Sequence, residues 1–72
     1  MLKIFLSQLG KPHEIAAAIQ ALSGERCSVG SVYQWPYENK IPLRWRYYVA
    51  KLAKKKRVPK DSVPPEIQGY MQ

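Results

Sequence analysis

Prolines and glycines cut this chain into short blocks, and within each block the apolar residues recur at helical spacing. Leu2, Phe5, Leu6 and Leu9 fall at i, i+3, i+4 and i+7, one stripe on a first helix that Gly10 stops. Pro12 opens a second helix, where its missing N–H would be unpaired anyway. Glu14 in the first turn suits the positive end of the helix dipole. Ile15, Ala18, Ile19 and Leu22 make the inner stripe, Ala16–Ala18 allow close approach of another helix, and Ser23-Gly24 ends the segment. Ser28 is the expected N-cap of a third helix, Val29 to about Trp35, with Val32 and Trp35 facing inward. Pro36 is expected to end or kink it, because proline lacks an N–H and crowds the preceding turn. Tyr37 to Lys40 reads as a polar loop. A fourth helix, with Pro42 at its head, runs to about Arg57; Trp45, Tyr48, Val49 and Leu52 face inward, and Arg44, Tyr47, Lys51, Lys54 and Lys55 outward. Pro59, Pro64 and Pro65 mark a tail with room for a short helix from Pro65 through Met71. No run has strand period, so the expected fold is all-α, a compact bundle of four to five helices.

Seventy-two residues allow one domain with a small core. Residues 1–58 are read as that domain, and 59–72 as a proline-rich tail whose Val63, Ile67, Tyr70 and Met71 offer a dimer contact. One cysteine excludes an internal disulfide, and Cys27 with His13 cannot make a structural metal site. No stretch is long and apolar enough to span a membrane, and the first residues are too polar for a signal peptide. A cytoplasmic location is therefore expected, with no membrane partner. No Ser/His/Asp set, paired carboxylates or glycine-rich phosphate loop is present. We expect no enzyme, catalytic residue, metal, cofactor or small-molecule substrate.

Twelve basic residues face five acidic ones, and no acid lies between Glu38 and Asp61. That stretch holds Lys40, Arg44, Arg46, Lys51, Lys54–Arg57 and Lys60, the footprint expected for a polyanion partner. The second and third helices have the order of a helix-turn-helix, in which the later helix enters the major groove of double-stranded DNA. Early outward positions of the third helix are small or polar: Ser28, Gly30, Ser31, Tyr33 and Gln34. Small groups allow close approach to base edges, and Gln34 can pair with adenine N6 and N7. Tyr33 can stack on sugar or donate to phosphate, and backbone N–H groups at the helix start can hold a phosphate.

The run Ser28-Val-Gly-Ser-Val-Tyr-Gln-Trp35, followed by Ile41-Pro42 and a basic helix, resembles phage Cro-like repressors and the related YdaS-type prophage regulators. Leu9-Gly10 and Ile15–Ile19 match that family's first-helix end, glycine and second helix; the resemblance covers roughly residues 2 to 55. It implies a λ-repressor-like helix-turn-helix domain that binds operator DNA, usually as a homodimer. By position, Val29, Gly30, Ser31, Tyr33 and Gln34 match the family's base-reading surface. Two departures stand out. Gln20 to Cys27 is longer than the tight turn of minimal Cro proteins, and Pro12 stands where many relatives carry a phosphate-buttressing Gln. That role falls to Lys11, His13 or a backbone N–H. Ser28, Asn39, Lys40, Arg44 and Arg46 complete the expected phosphate-contacting set.

Plainer roles compete at several positions. Trp35 and Trp45 suit a small core, and Tyr37, Tyr47 and Tyr48 suit packing. Cys27 suits a small packing site, His13 an exposed one, and Lys54–Arg57 a solvated helix end that complements the dipole. The expected function is a sequence-specific transcriptional regulator, most simply a repressor. An antitoxin or recombination-accessory protein would use the same surface. An adaptor that has lost DNA binding would instead expose an apolar groove or patch.

Overall fold

The computed structural model describes residues 2–71. Among them are five α-helices, one 3-10 turn and no strand: α1 (Leu2–Leu9), α2 (Pro12–Ser23), α3 (Val29–Glu38), α4 (Leu43–Lys55), the turn Lys60–Ser62, and α5 (Pro65–Gln68). None of these helices is long and apolar enough to cross a membrane. The most extensive packing is between α2 and α3, followed by α2 on α4, with α1 against α3 and α5 against α4.

Helix α1 buries all four residues of its stripe, Leu2, Phe5, Leu6 and Leu9. Gly10 follows at φ 129°, a region closed to most side chains, and a Cβ there would meet Glu14 Oε1 at 3.0 Å. The Glu14 carboxylate accepts the Lys11 N–H at 2.8 Å, satisfying one donor at the start of α2. Helix α2 buries Ile15, Ala16 and Ile19. Leu22, expected on the inner stripe, is instead 41% exposed, because α2 ends one residue later and the chain turns away. Gly24, at φ 75°, closes the helix with its N–H on the Gln20 carbonyl.

Ser28 caps α3 as expected, its Oγ accepting the Ser31 N–H at 3.2 Å. The helix does not stop at Trp35. It passes through Pro36 to Glu38, so Tyr37 and Glu38 are helical rather than looped. Proline removes a single i→i−4 bond this close to the end. The last turn is closed beyond it by the Asn39 N–H on the Trp35 and Pro36 carbonyls and by the Lys40 N–H on Trp35. Asn39 takes the left-handed conformation (φ 52°), which asparagine tolerates better than most residues.

Pro42 is the N-cap of α4 rather than its first residue. Trp45, Val49, Ala50, Leu52 and Ala53 are buried along α4, and Tyr48 packs at the edge of the core. Arg57 lies outside the helix at φ 57°. Its N–H bonds the Lys54 carbonyl and the Val58 N–H bonds Ala53, the paired bonds of a Schellman ending.

The tail is part of the same body. Val58, Val63 and Ile67 are buried in the core that α1 to α4 build. The Gln68 amide donates to the Val63 carbonyl at 2.8 Å and to Lys60 at 3.2 Å. Glu66 meets Arg46 at 3.3 Å. Val63 and Ile67, expected at a dimer contact, are thus spent inside the monomer; Tyr70 stays exposed and Met71 is half-buried against the core.

Candidate nucleic-acid interface

Helix α3 is fixed from below and open above. Val32 and Trp35 are buried. Val29, Gly30, Ser31, Tyr33 and Gln34 are all exposed, so the expected base-reading residues share the outward part of one short helix. A Cβ built on Gly30 meets nothing within 4 Å, so no internal contact requires glycine there. The Ser28 and Ser31 hydroxyls lie 2.8 Å apart within the N-cap. Ser28, expected at phosphate, therefore already serves the helix start. Because α3 runs on past Pro36, Val29, Tyr33 and Tyr37 form a row at four-residue spacing, with Tyr37 86% exposed.

Apart from Ser28, the expected phosphate set divides into three groups. Lys11 and His13 are exposed at the start of α2, but the Lys11 N–H is held by Glu14, and Pro12 has none to offer. Asn39 and Lys40 are exposed after α3. The arginines have partners already. Arg44 Nη2 lies 2.7 Å from Glu25 Oε1 with both side chains largely in solvent, and its guanidinium sits 4.5 Å from the Trp45 ring centre. Arg46 is half-buried, donates from Nε to the Ile41 carbonyl at 2.8 Å, and reaches Glu66. It fastens α4 to α5 and to its own preceding turn. Cys27, between Glu25 and the Ser28 cap, is buried; desolvation pushes its thiol pKa up against the opposing pull of Arg44, which suits packing rather than reactivity.

A groove of about 610 Å³ runs between α1, the start of α2 and α3. Leu6, Ile15 and Val32, all core residues, form its deeper lining; Lys3, Lys11, Tyr33 and Tyr37, all exposed, line it further out. Lys3 and Tyr37 were not among the site residues expected from sequence. The signal for Tyr37 was present in Asn39, a residue suited to a helix end two positions later than Pro36 suggested. Comparison with protein-family models, curated proteins and solved structures finds no match for this chain.

Proposed function

We propose that this protein binds double-stranded DNA sequence-specifically as a λ-repressor-like helix-turn-helix regulator, most simply a repressor acting as a homodimer. α3 is the base-reading helix. The observation that carries the reading is the outward part of α3: Gly30, Ser31, Tyr33 and Gln34 exposed on a helix that Val32 and Trp35 anchor from below. Such a helix presents small and amide-bearing side chains without loosening the core. Lys11, His13, Asn39, Lys40 and Arg44 lie at helix ends and on α4, where they supply the phosphate contacts that set register. One short helix reads only a few base pairs, so paired half-sites about one helical turn apart are expected.

The test is selection of bound duplexes from a random pool, followed by binding of variants to the selected site and its single-base changes. A two-fold symmetric site is expected. Gln34→Ala should relax preference at one base pair per half-site, where an amide–adenine pair is worth ~1–3 kcal/mol of discrimination. Gly30→Ala should keep or raise thermal stability, since glycine within a helix costs ~0.5–1 kcal/mol relative to alanine. It should nonetheless weaken specific binding, because the new methyl stands where a base edge would lie. No enrichment of any duplex would overturn the reading.

A second reading, an adaptor that binds protein instead of DNA, is favoured by the groove beside α3, whose deeper lining is apolar. Failure of the duplex selection combined with peptide binding in that groove would establish it.

A further inference from the structure

Duplex contact leaves the groove between α1, the start of α2 and α3 unexplained. A DNA backbone presents chiefly charged phosphates, which gain nothing by lying against the Pro12, Tyr33, Pro36 and Tyr37 side chains that line the groove above the buried Leu6, Ile15 and Val32. The occupant must carry apolar groups. It must also suit a positive rim. Lys3 and Lys11 line the groove, and its one acid, Glu14, has its carboxylate on the Lys11 N–H at 2.8 Å. The chain as a whole carries +7. The exposed phenols of Tyr33 and Tyr37, one helical turn apart on α3, have the amphipathic character found at the centre of protein interfaces.

We propose that this groove docks an acidic amphipathic peptide of a partner protein. Its large apolar side chains pack against the Tyr33 and Tyr37 rings and against Pro12 and Pro36, above the buried Leu6, Ile15 and Val32, and its carboxylates meet Lys3 and Lys11. Tyr33 belongs both to this groove and to the outward positions assigned to base reading. Peptide and duplex therefore exclude one another, and the partner lifts the protein from its site. The docking itself does not depend on the DNA reading; only the competition does.

The experiment screens a display library of random short peptides against the full chain, then measures affinity of the winning peptide by fluorescence anisotropy. Variants Tyr37→Ala and Lys3→Glu are compared, each checked by circular dichroism melting. Both side chains are exposed, so both variants should fold. Winners are expected to combine Asp or Glu with large apolar anchors. Tyr37→Ala should weaken binding by about tenfold, the scale of an aromatic interface anchor. Lys3→Glu should weaken it too, by a factor that shrinks as salt rises. Saturating peptide should displace a selected duplex.

Absence of enriched peptides, winners without acids, or an affinity indifferent to both substitutions would overturn the proposal. So would a loss of duplex affinity in Tyr37→Ala and Lys3→Glu with no peptide binding, which would assign the groove to the nucleic acid. Self-association abolished by Tyr37→Ala, again without peptide binding, would assign it to a second copy of the chain. Duplex binding by the unmodified protein is measured separately, so failure of the DNA reading and failure of the docking surface are told apart.

Discussion

Trp35 is 1% exposed, yet its Nε1 has no hydrogen-bond partner among the described residues. Its ring therefore stabilises the core while its N–H works against it. An unpaired buried donor costs ~1–3 kcal/mol, and truncating a buried tryptophan to alanine costs ~3–5 kcal/mol. Trp35→Ala should lower stability by that full amount and largely unfold so small a domain. Trp35→Phe should lose well under half as much, since it sheds the unpaired donor along with part of the ring. Chemical denaturation of the two variants checks this; equal losses would mean the indole nitrogen is satisfied. Arg57 holds the opposite kind of cost. It occupies the left-handed position after α4, where glycine usually sits. Left-handed backbone costs a residue with a Cβ about 1–2 kcal/mol. Arg57→Gly should therefore raise the melting temperature by several degrees, at roughly 4–8 °C per kcal/mol for a domain of this size. A lower melting temperature would show that the arginine side chain makes a contact worth more than the strain.

At the scale of elements, the start of α2 gives a pH-dependent contribution. The Lys11 N–H bond to the Glu14 carboxylate lowers its pKa from the ordinary 4.5, with desolvation opposing and the charges of His13, Lys11 and Lys56 adding to the lowering. The folded value lies below the unfolded one, so this stabilisation is present above pH 4.5 and is lost as pH falls through the folded value. The melting temperature of the wild type should fall more steeply on acidification below 4.5 than that of Glu14→Gln. Parallel curves would remove Glu14 from the acid response. The same elements show what the sequence carries and what it hides. The stripes Leu2, Phe5, Leu6, Leu9 and Trp45, Val49, Leu52 were legible because helical period alone decides which face is buried. The Ser28 cap was legible because its chemistry is local. The end of α3 was not, since a proline in the last turn removes one bond while Asn39 and Lys40 close the helix beyond it. Nor was the docking of the tail, because Val63 and Ile67 stand among prolines with no period, and only tertiary packing, including that of α5 on α4, makes them core. For the candidate site, exposure of Val29, Gly30, Ser31, Tyr33 and Gln34 followed from the Val32 and Trp35 stripe beneath them. The groove did not, because α1 and α3 are brought together only by tertiary packing.

For the whole molecule, the net charge of +7 does not say which cations are available to a polyanion. Two arginines of the acid-free stretch already have carboxylate partners, and the structure separates them by their surroundings. Arg44 pairs with Glu25 largely in solvent, where such a bridge is worth only ~0–1 kcal/mol. A phosphate can replace that carboxylate at little cost, so the pair with Glu25 leaves Arg44 open to the phosphate contact proposed for it. Arg46 is half-buried, holds the Ile41 carbonyl at 2.8 Å and reaches Glu66 on α5. Turning it to a phosphate would release a backbone acceptor and loosen the tail. Lys40→Ala and Arg44→Ala should therefore weaken all duplexes about equally, each making the log–log salt dependence shallower by about 0.9 for every phosphate left without its cation. Glu25→Gln should strengthen binding at low salt, because it removes the competing carboxylate. Arg46→Ala should leave the slope of the folded protein unchanged and lower its melting temperature instead. The measurements are salt titrations of duplex binding beside thermal melts of the same samples. If Arg46→Ala flattens the slope while melting like the wild type, its hold on Ile41 and Glu66 is dispensable, and Arg46 belongs with Lys40 and Arg44 at the phosphates.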